Sequence, residues 1–240
     1  MGVAVIWNTA RMHLTEQELT IEDRALVIRA LNSPRGRYGV ERAHQLSGIP
    51  ARTLQDWAKS GVLRPDWFNA TPRGWSYRDI VYARLLAWLR SKHMDRSTAA
   101  TRVQHLRELV TTSQIDPAAH SDGSIFLIGD ERTDRFTGQQ VFDELASVLD
   151  VFELTKPVEG VSSREIWGPS LVRPSEHTYI SPWVLAGEPC IAHSRVPSAT
   201  IHALSVERGL DTIAIQHLYP ELPIVAIDDA FQFEQRLRAA

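Results

Sequence analysis

Histidines and cysteine are the residues of this 240-residue chain best suited to bind metals or to act as acids, bases and nucleophiles. Their spacing supports none of these roles. His13, His44, His93, His105, His120, His177, His193, His202 and His217 fall singly, with no H-x-H or H-E-x-x-H pair to set two imidazoles on one face. The single cysteine, Cys190, excludes an intramolecular disulfide and a zinc site of several thiolates. Nothing orients it against His193, so a structural cysteine is expected. There is no G-x-G-x-x-G, Walker A or G-x-S-x-G sequence, and neither an enzyme nor a cofactor or metal is expected. The arginines are different. Residues 35–107 hold 14 Lys+Arg against 5 Asp+Glu, a net of +9, in a chain whose total is -3. Residues 108–240 carry -11. This asymmetry predicts that one segment meets a polyanion while the remainder stays soluble and meets something else; a solvated charged face is the plain alternative.

Elements must position those arginines. With 43% hydrophobic and 23% charged residues the chain can bury at least one core, which excludes extended disorder. The apolar run at residues 3–7 is too short for a signal segment and no stretch nears ~18 apolar residues, so a cytoplasmic protein without a membrane partner is expected. Ile21, Ala25, Ile28 and Leu31 behind Glu22 and Asp23 predict a helix over 21–31. A short helix over 40–46 stops at Ser47-Gly48, and a second runs from Pro50 to Gly61. Segments 62–64 and 74–77 read as strands of a small hairpin, and 78–90 and 97–109 as two further helices with a break at 92–95. A strand over 125–128 and a helix over 141–149 follow. Residues 155–176, rich in Pro, Gly and Ser, read as a linker carrying a strand at 165–167. Three closing helices, 197–209, 210–219 and 223–237, would share a core of Ile201, Leu204, Ile213, Ile215, Leu218 and Ile227. The expected fold is mainly α with small β elements. It divides into an N-terminal arm and helix (1–34), a basic module (35–110), a connecting region (111–176) and a C-terminal helical domain (177–240).

Two short helices about a Ser-Gly turn, then a hairpin and a helix, have the order of a winged helix-turn-helix. A recognition helix that enters the roughly 12 Å wide major groove needs apolar anchors on one face and polar residues on the other. In 50–60 the anchors are Leu54 and Trp57, which leaves Arg52, Thr53, Gln55, Asp56 and Lys59 outward. Trp57 reads either as a half-buried anchor or as a base reader. Arg73, Trp75 and Tyr77 on the wing are candidates for backbone or minor-groove contact. Arg42 and Arg78 read as phosphate contacts or ion-pair residues, and Trp67, Phe68 and Trp88 as packing.

The stretches YGVERAHQLSGIPARTLQDWAKSGVLRP and GWSYRDIVYARLLAWLR, spanning about 38–110, resemble the DNA-binding domain of the MerR family. The resemblance implies a dimeric, sequence-specific reader of double-stranded operator DNA, with Arg52, Thr53, Trp57, Arg73 and Tyr77 at matching contact positions. The lone cysteine departs from the metal-sensing members of that family.

Residues 177–238 resemble a small helical domain found in bacterial antitoxins. The matching features are Ile180-Ser181-Pro182, Gly187-Glu188-Pro189-Cys190-Ile191, Arg195-Val196-Pro197, Gly209, Tyr219-Pro220 and a closing helix with Ala226, Ala230 and Phe231. A MerR-like module joined to it is similar to a large VapB-type antitoxin. That resemblance implies a PIN-domain ribonuclease toxin as partner and repression of the chain's own operon. An arginine set among the toxin's metal-binding carboxylates could silence it, with Arg195, Arg236 and Arg238 as candidates; for Arg195 a structural brace beside Pro197 is the other reading. The competing function is a MerR-type one-component regulator whose region 111–176 binds a small molecule through Phe126, Phe136, Phe142 and Trp167. Those aromatics read equally as core.

Overall fold

Local chemistry sets the helix ends in the computed structural model, which describes residues 20–91, 93–113, 153–159 and 167–239. Thr20 and Asp23 form a reciprocal capping box at the start of α1 (Ile21–Asn32). α2 (Val40–Ser47) ends on Gly48 at φ +76°, a left-handed position where glycine escapes the Cβ penalty, and α3 (Ala51–Ser60) ends the same way on Gly61. α4 (Tyr77–Ser91) starts at a second reciprocal box, in which the Ser76 N–H donates to Asp79 Oδ2 (2.7 Å) and the Asp79 N–H donates to Ser76 Oγ (3.2 Å). A break containing His93 at φ +63° separates it from α5 (Arg96–Ser113).

α1 to α5 enclose one core, with Ile28, Leu31, Leu46, Leu54, Ile80 and Leu85 among its buried members. The expected hairpin of 62–64 with 74–77 does not form. Gly74 bridges Trp67, and Trp75 bridges Tyr38, while Tyr77 already belongs to α4. Pro65 has no N–H to extend a ladder from 62–64, and the Ser76-Asp79 box claims the residues after Trp75 for the helix. The wing is therefore a compact loop over 62–75.

The described parts of the Pro-, Gly- and Ser-rich stretch, 155–159 and 167–176, pack against the helices. β1 (Val158–Glu159) pairs antiparallel with β2 (Trp167–Gly168), and Leu154, Leu171 and Val172 join the first core. Gly168 passes so close to α2 and α4 that a Cβ there would lie 2.9 Å from Arg84 Nη2 and 3.2 Å from the Leu46 carbonyl. Arg84 holds the join. It is buried on α4 and donates to the carbonyls of Leu154 (3.0 Å), Lys156 (2.7 Å), Leu46 and Pro169. The Leu46 carbonyl needs such a donor, because the residue four positions on is Pro50, which has no N–H.

β3 (Thr178–Tyr179) pairs antiparallel with β4 (Cys190–Ile191). A second core follows, from α6 (Ser198–Val206), α7 (Thr212–Leu218) and α8 (Ile224–Ala239), built on Ile201, Ile215, Leu222, Ala226, Ile227 and Ala230 with Leu204 packed against it. Ile213 and Leu218, expected inside, are exposed. Two residues along a helix is about 200° of rotation, so turning Ile215 inward turns Ile213 out; Leu218 is the last residue of α7. The protein is mainly α with small β elements. No described helix is long and apolar enough to cross a membrane. The strand and helix expected over 125–128 and 141–149, and Phe126, Phe136 and Phe142, lie outside the described residues.

Candidate nucleic-acid interface

α2, the turn Gly48-Ile49-Pro50 and α3 form a helix-turn-helix whose turn is braced by its own side chains. The Ile49 N–H donates to Ser47 Oγ (3.1 Å), and the Ile49 carbonyl lies 2.9 Å from His44 Nδ1. Ile49, Leu54 and Ala58 are buried, which fixes α3 by its inner face and directs Arg52, Gln55, Asp56 and Lys59 to solvent. Thr53 is half-buried, and so is Trp57, which packs on the first core. Trp57 thus serves as an anchor.

The wing lies beside this face. An open groove of about 410 Å³ runs between them, lined by Gly39, Gln55, Lys59, Pro72, Arg73 and the edge of Trp75. Phe68 is the wing's platform: the guanidiniums of Arg64 and Arg73 lie 4.6 and 4.1 Å from its ring centroid. Arg73 also donates to the Phe68 carbonyl (3.3 Å), and Arg37 donates to the Pro72 carbonyl (2.9 Å). Arg96, at the start of α5, donates to Ser60 Oγ (2.7 Å) at the end of α3. Arg37, Arg64 and Arg96 were not among the expected contacts. They are exposed beside the groove, and the +9 balance of 35–107 was the one sequence signal that included them.

Of the other candidates, Trp75 and Tyr77 are drawn into the core, and Arg42 and Arg78 take the second of their two readings, as ion-pair residues. Trp75 is 2% exposed because its backbone exchanges N–H···O bonds of 2.8 Å with Tyr38, which draws it into the core. Tyr77 is buried and donates its hydroxyl to the Leu171 carbonyl (3.1 Å). Arg78 is buried and grips Asp66 through two bonds of 2.8 Å. Arg42 spends its donors on Glu188 and Glu234 of the C-terminal module and on Gln45 of its own helix. A guanidinium whose N–H groups are all taken by a buried carboxylate, a half-buried one and an amide oxygen has no donor left for a phosphate.

The base of the wing is an acid and arginine cluster. Asp66 accepts from Ser76 Oγ (2.5 Å), Arg78 and Arg107, and Asp79 Oδ2 accepts the Asp66 N–H (2.9 Å). Burial, opposed by the charge of Arg107 3.1 Å from Oδ1, pushes the Asp79 carboxyl up to about 6. At Asp66 burial also acts upward, but the Arg78 hydrogen bonds and the Arg107 charge outweigh it and hold the carboxyl below the usual range. A raised carboxyl favours the protonated form in the folded state. Its contribution to stability is therefore complete below the unfolded value near 4 and is lost as pH rises through about 6. The Asp66 contribution runs the other way and is lost as pH falls below about 4. The expected result is an unfolding free energy that declines from pH ~4 to ~6 by on the order of 1–3 kcal/mol, and an Asp79→Asn variant that lacks this decline. Urea midpoints at three pH values check it; an equal slope in the variant would assign the effect to other groups.

Cys190 is buried, its thiol pushed up to about 11 mainly by burial, and it donates to the Glu188 carbonyl (3.2 Å). Such a thiol is a poor nucleophile at neutral pH. His193 beside it is exposed. Arg195, Arg236 and Arg238 are all exposed. Arg238 lies 3.8 Å from Glu234, while Arg195 and Arg236 carry no ion pair or hydrogen bond among the described residues.

A family model described as a protein of unknown function, DUF433, matches residues 179–233, from within β3 to within α8. No curated protein and no solved structure matches the chain.

Proposed function

We propose that this protein is a double-stranded DNA-binding repressor, and that its C-terminal module engages a PIN-domain ribonuclease toxin, making the chain the antitoxin of a toxin-antitoxin pair. The observation that carries the DNA half is the placing of Arg52, Gln55 and Lys59 on the outer face of α3, across an open groove from Arg73. A helix width of polar side chains flanked by a cationic loop matches a major groove and its bordering phosphates. Asp56 on the same face can accept from a cytosine amino group. The toxin half is supported by the resemblance of 177–238 to an antitoxin-associated domain, a stretch that contains the 179–233 matched by the family model of unknown function. Exposed Arg195 and Arg236 are available to enter a carboxylate cluster.

Selection from a random duplex pool by the full chain tests the DNA half. The expected product is a pseudo-palindromic site bound by a dimer, with log affinity falling against log salt at a slope of about -5 to -7 for about six to eight phosphate contacts. A flat salt dependence would remove the basic module from the role. Co-expression with the product of the neighbouring reading frame, followed by purification and a ribonuclease assay, tests the other half; a neighbour without ribonuclease activity rejects the antitoxin reading. Inhibition unchanged by Arg195→Ala and by Arg236→Ala with Arg238→Ala would reject arginine insertion and leave occlusion by a surface.

A further inference from the structure

The C-terminal module grips the helix-turn-helix from behind at two places. The first is Arg42 on α2. Its Nε and Nη2 donate to Glu188 (3.0 and 2.8 Å), and its Nη1 and Nη2 donate to Glu234 (3.1 and 2.9 Å). Glu234 is 0% exposed on α8 and is held further by Ser198 Oγ (2.6 Å). A buried carboxylate hydrogen-bonded by one guanidinium and one hydroxyl, with Arg238 at 3.8 Å, is a costly arrangement unless its geometry is kept. The pair therefore pins α2 to α8.

The second place is Tyr38. Leu185, Ala186 and Gly187 take φ values of +44°, +57° and +92°, a run of left-handed residues that persists only where surrounding contacts impose it. Those contacts are with the DNA-reading half. The Arg37 N–H donates to the Ala186 carbonyl (2.7 Å), and the buried Tyr38 hydroxyl donates to the Gly187 carbonyl (3.0 Å). The approach is so close that a Cβ on Gly187 would lie 2.1 Å from the Tyr38 oxygen. Tyr38 in turn exchanges two backbone bonds with Trp75, a wall of the groove.

We propose that the C-terminal module sets the geometry of the DNA-reading groove through Arg42 and Tyr38, which act as positioning residues: Arg42 holds α2 to Glu188 and Glu234, and Tyr38 carries the Leu185–Gly187 loop to Trp75. This rests on the reading of α3 and the wing as a DNA interface. Residues 35–110 alone lack both grips, so the reader is complete only with a segment some 150 residues downstream. By reciprocity, whatever displaces Glu188 or Glu234 from Arg42 changes DNA affinity, and DNA changes the affinity of that agent by the same factor.

The test uses the full chain and the duplex it selects from a random 20-bp pool. Arg42→Gln and Tyr38→Phe should each weaken binding about tenfold with the salt slope unchanged, and should speed amide exchange at 51–60 and 67–75. A slope smaller by about 1 in Arg42→Gln would make Arg42 a direct phosphate contact and overturn the proposal. Unchanged affinity and exchange in both folded variants would overturn it too. Should Arg42→Gln fail to fold, Tyr38→Phe, which removes one hydroxyl, and Glu188→Gln, at a partly exposed carboxylate, decide by the same readouts. Should the wild type select no duplex, the DNA reading fails by itself, and amide exchange in the variants still decides whether the module positions the groove.

Discussion

Arg84→Met should lower the unfolding free energy by about 3–5 kcal/mol, the largest single effect expected in this protein. Methionine fills much of the volume but donates nothing. The carbonyls of Leu46, Leu154, Lys156 and Pro169 would lose a donor together, three of these bonds being buried and that to Lys156 part-buried, and each unpaired buried acceptor costs about 1–3 kcal/mol before relaxation. Some recovery follows because the charge itself is strained. Burial holds the guanidinium down at about 9, and its Nε has no partner among the described residues. Removing that desolvated charge offsets part of the loss. The net should appear as a fall of roughly 6–20 °C in Tm, at about 2–4 °C per kcal/mol for a chain of this size. Arg84→Lys should be nearly as damaging, since one ammonium cannot span four carbonyls with a planar fork's geometry. A Tm within 2 °C of wild type, taking ~1 kcal/mol as the threshold, would show that the β1-β2 hairpin is held by its apolar contacts instead.

The second large effect is on DNA. Arg52→Ala with Arg73→Ala should weaken binding to the selected duplex on the order of 10²- to 10³-fold and reduce the salt slope by about 1–2, while the melting temperature barely moves. Arg52 is exposed on α3, and Arg73 is exposed on the wing, with bonds made to a neighbouring carbonyl and ring. Neither side chain contributes to a core, so a loss of binding in this variant cannot be charged to unfolding. Gln55→Ala should differ in kind, relaxing preference at one base pair with little change in slope. Equilibrium titrations at two salt concentrations against the selected duplex and a scrambled one separate the two behaviours. Equal affinity for the double variant and the wild type would reject the α3-wing surface as the reader.

The helix-turn-helix was legible because its signals are local. Gly48 and Gly61 end helices by their own conformational freedom, and the anchors Leu54 and Trp57, three residues apart, both meet the first core. The start of α4 was displaced from the expected position by one residue, where the Ser76-Asp79 box is the deciding feature. The misread segments share a cause. In the 155–176 stretch Gly168 is small because it passes within contact of Arg84 and the Leu46 carbonyl, a crowding that linker-like composition does not reveal. Composition records that small, rigid residues are needed and is silent on whether the reason is freedom or crowding.

Among the arginines the division is clearest. By itself the sequence determined that a cationic segment exists, that it is mainly helical, and that Arg52 must face outward if Leu54 and Trp57 face inward, since periodicity links neighbours within two turns. For Arg42 and Arg78 it left two readings open, a phosphate contact or an ion pair. Only the tertiary structure decided between them, by bringing Glu188 and Glu234 to Arg42 across about 146 and 192 residues of chain, and Asp66 to Arg78 across the wing. A guanidinium goes to whichever anion is nearest and best desolvated, and for a side chain that anion is chosen by packing rather than by spacing.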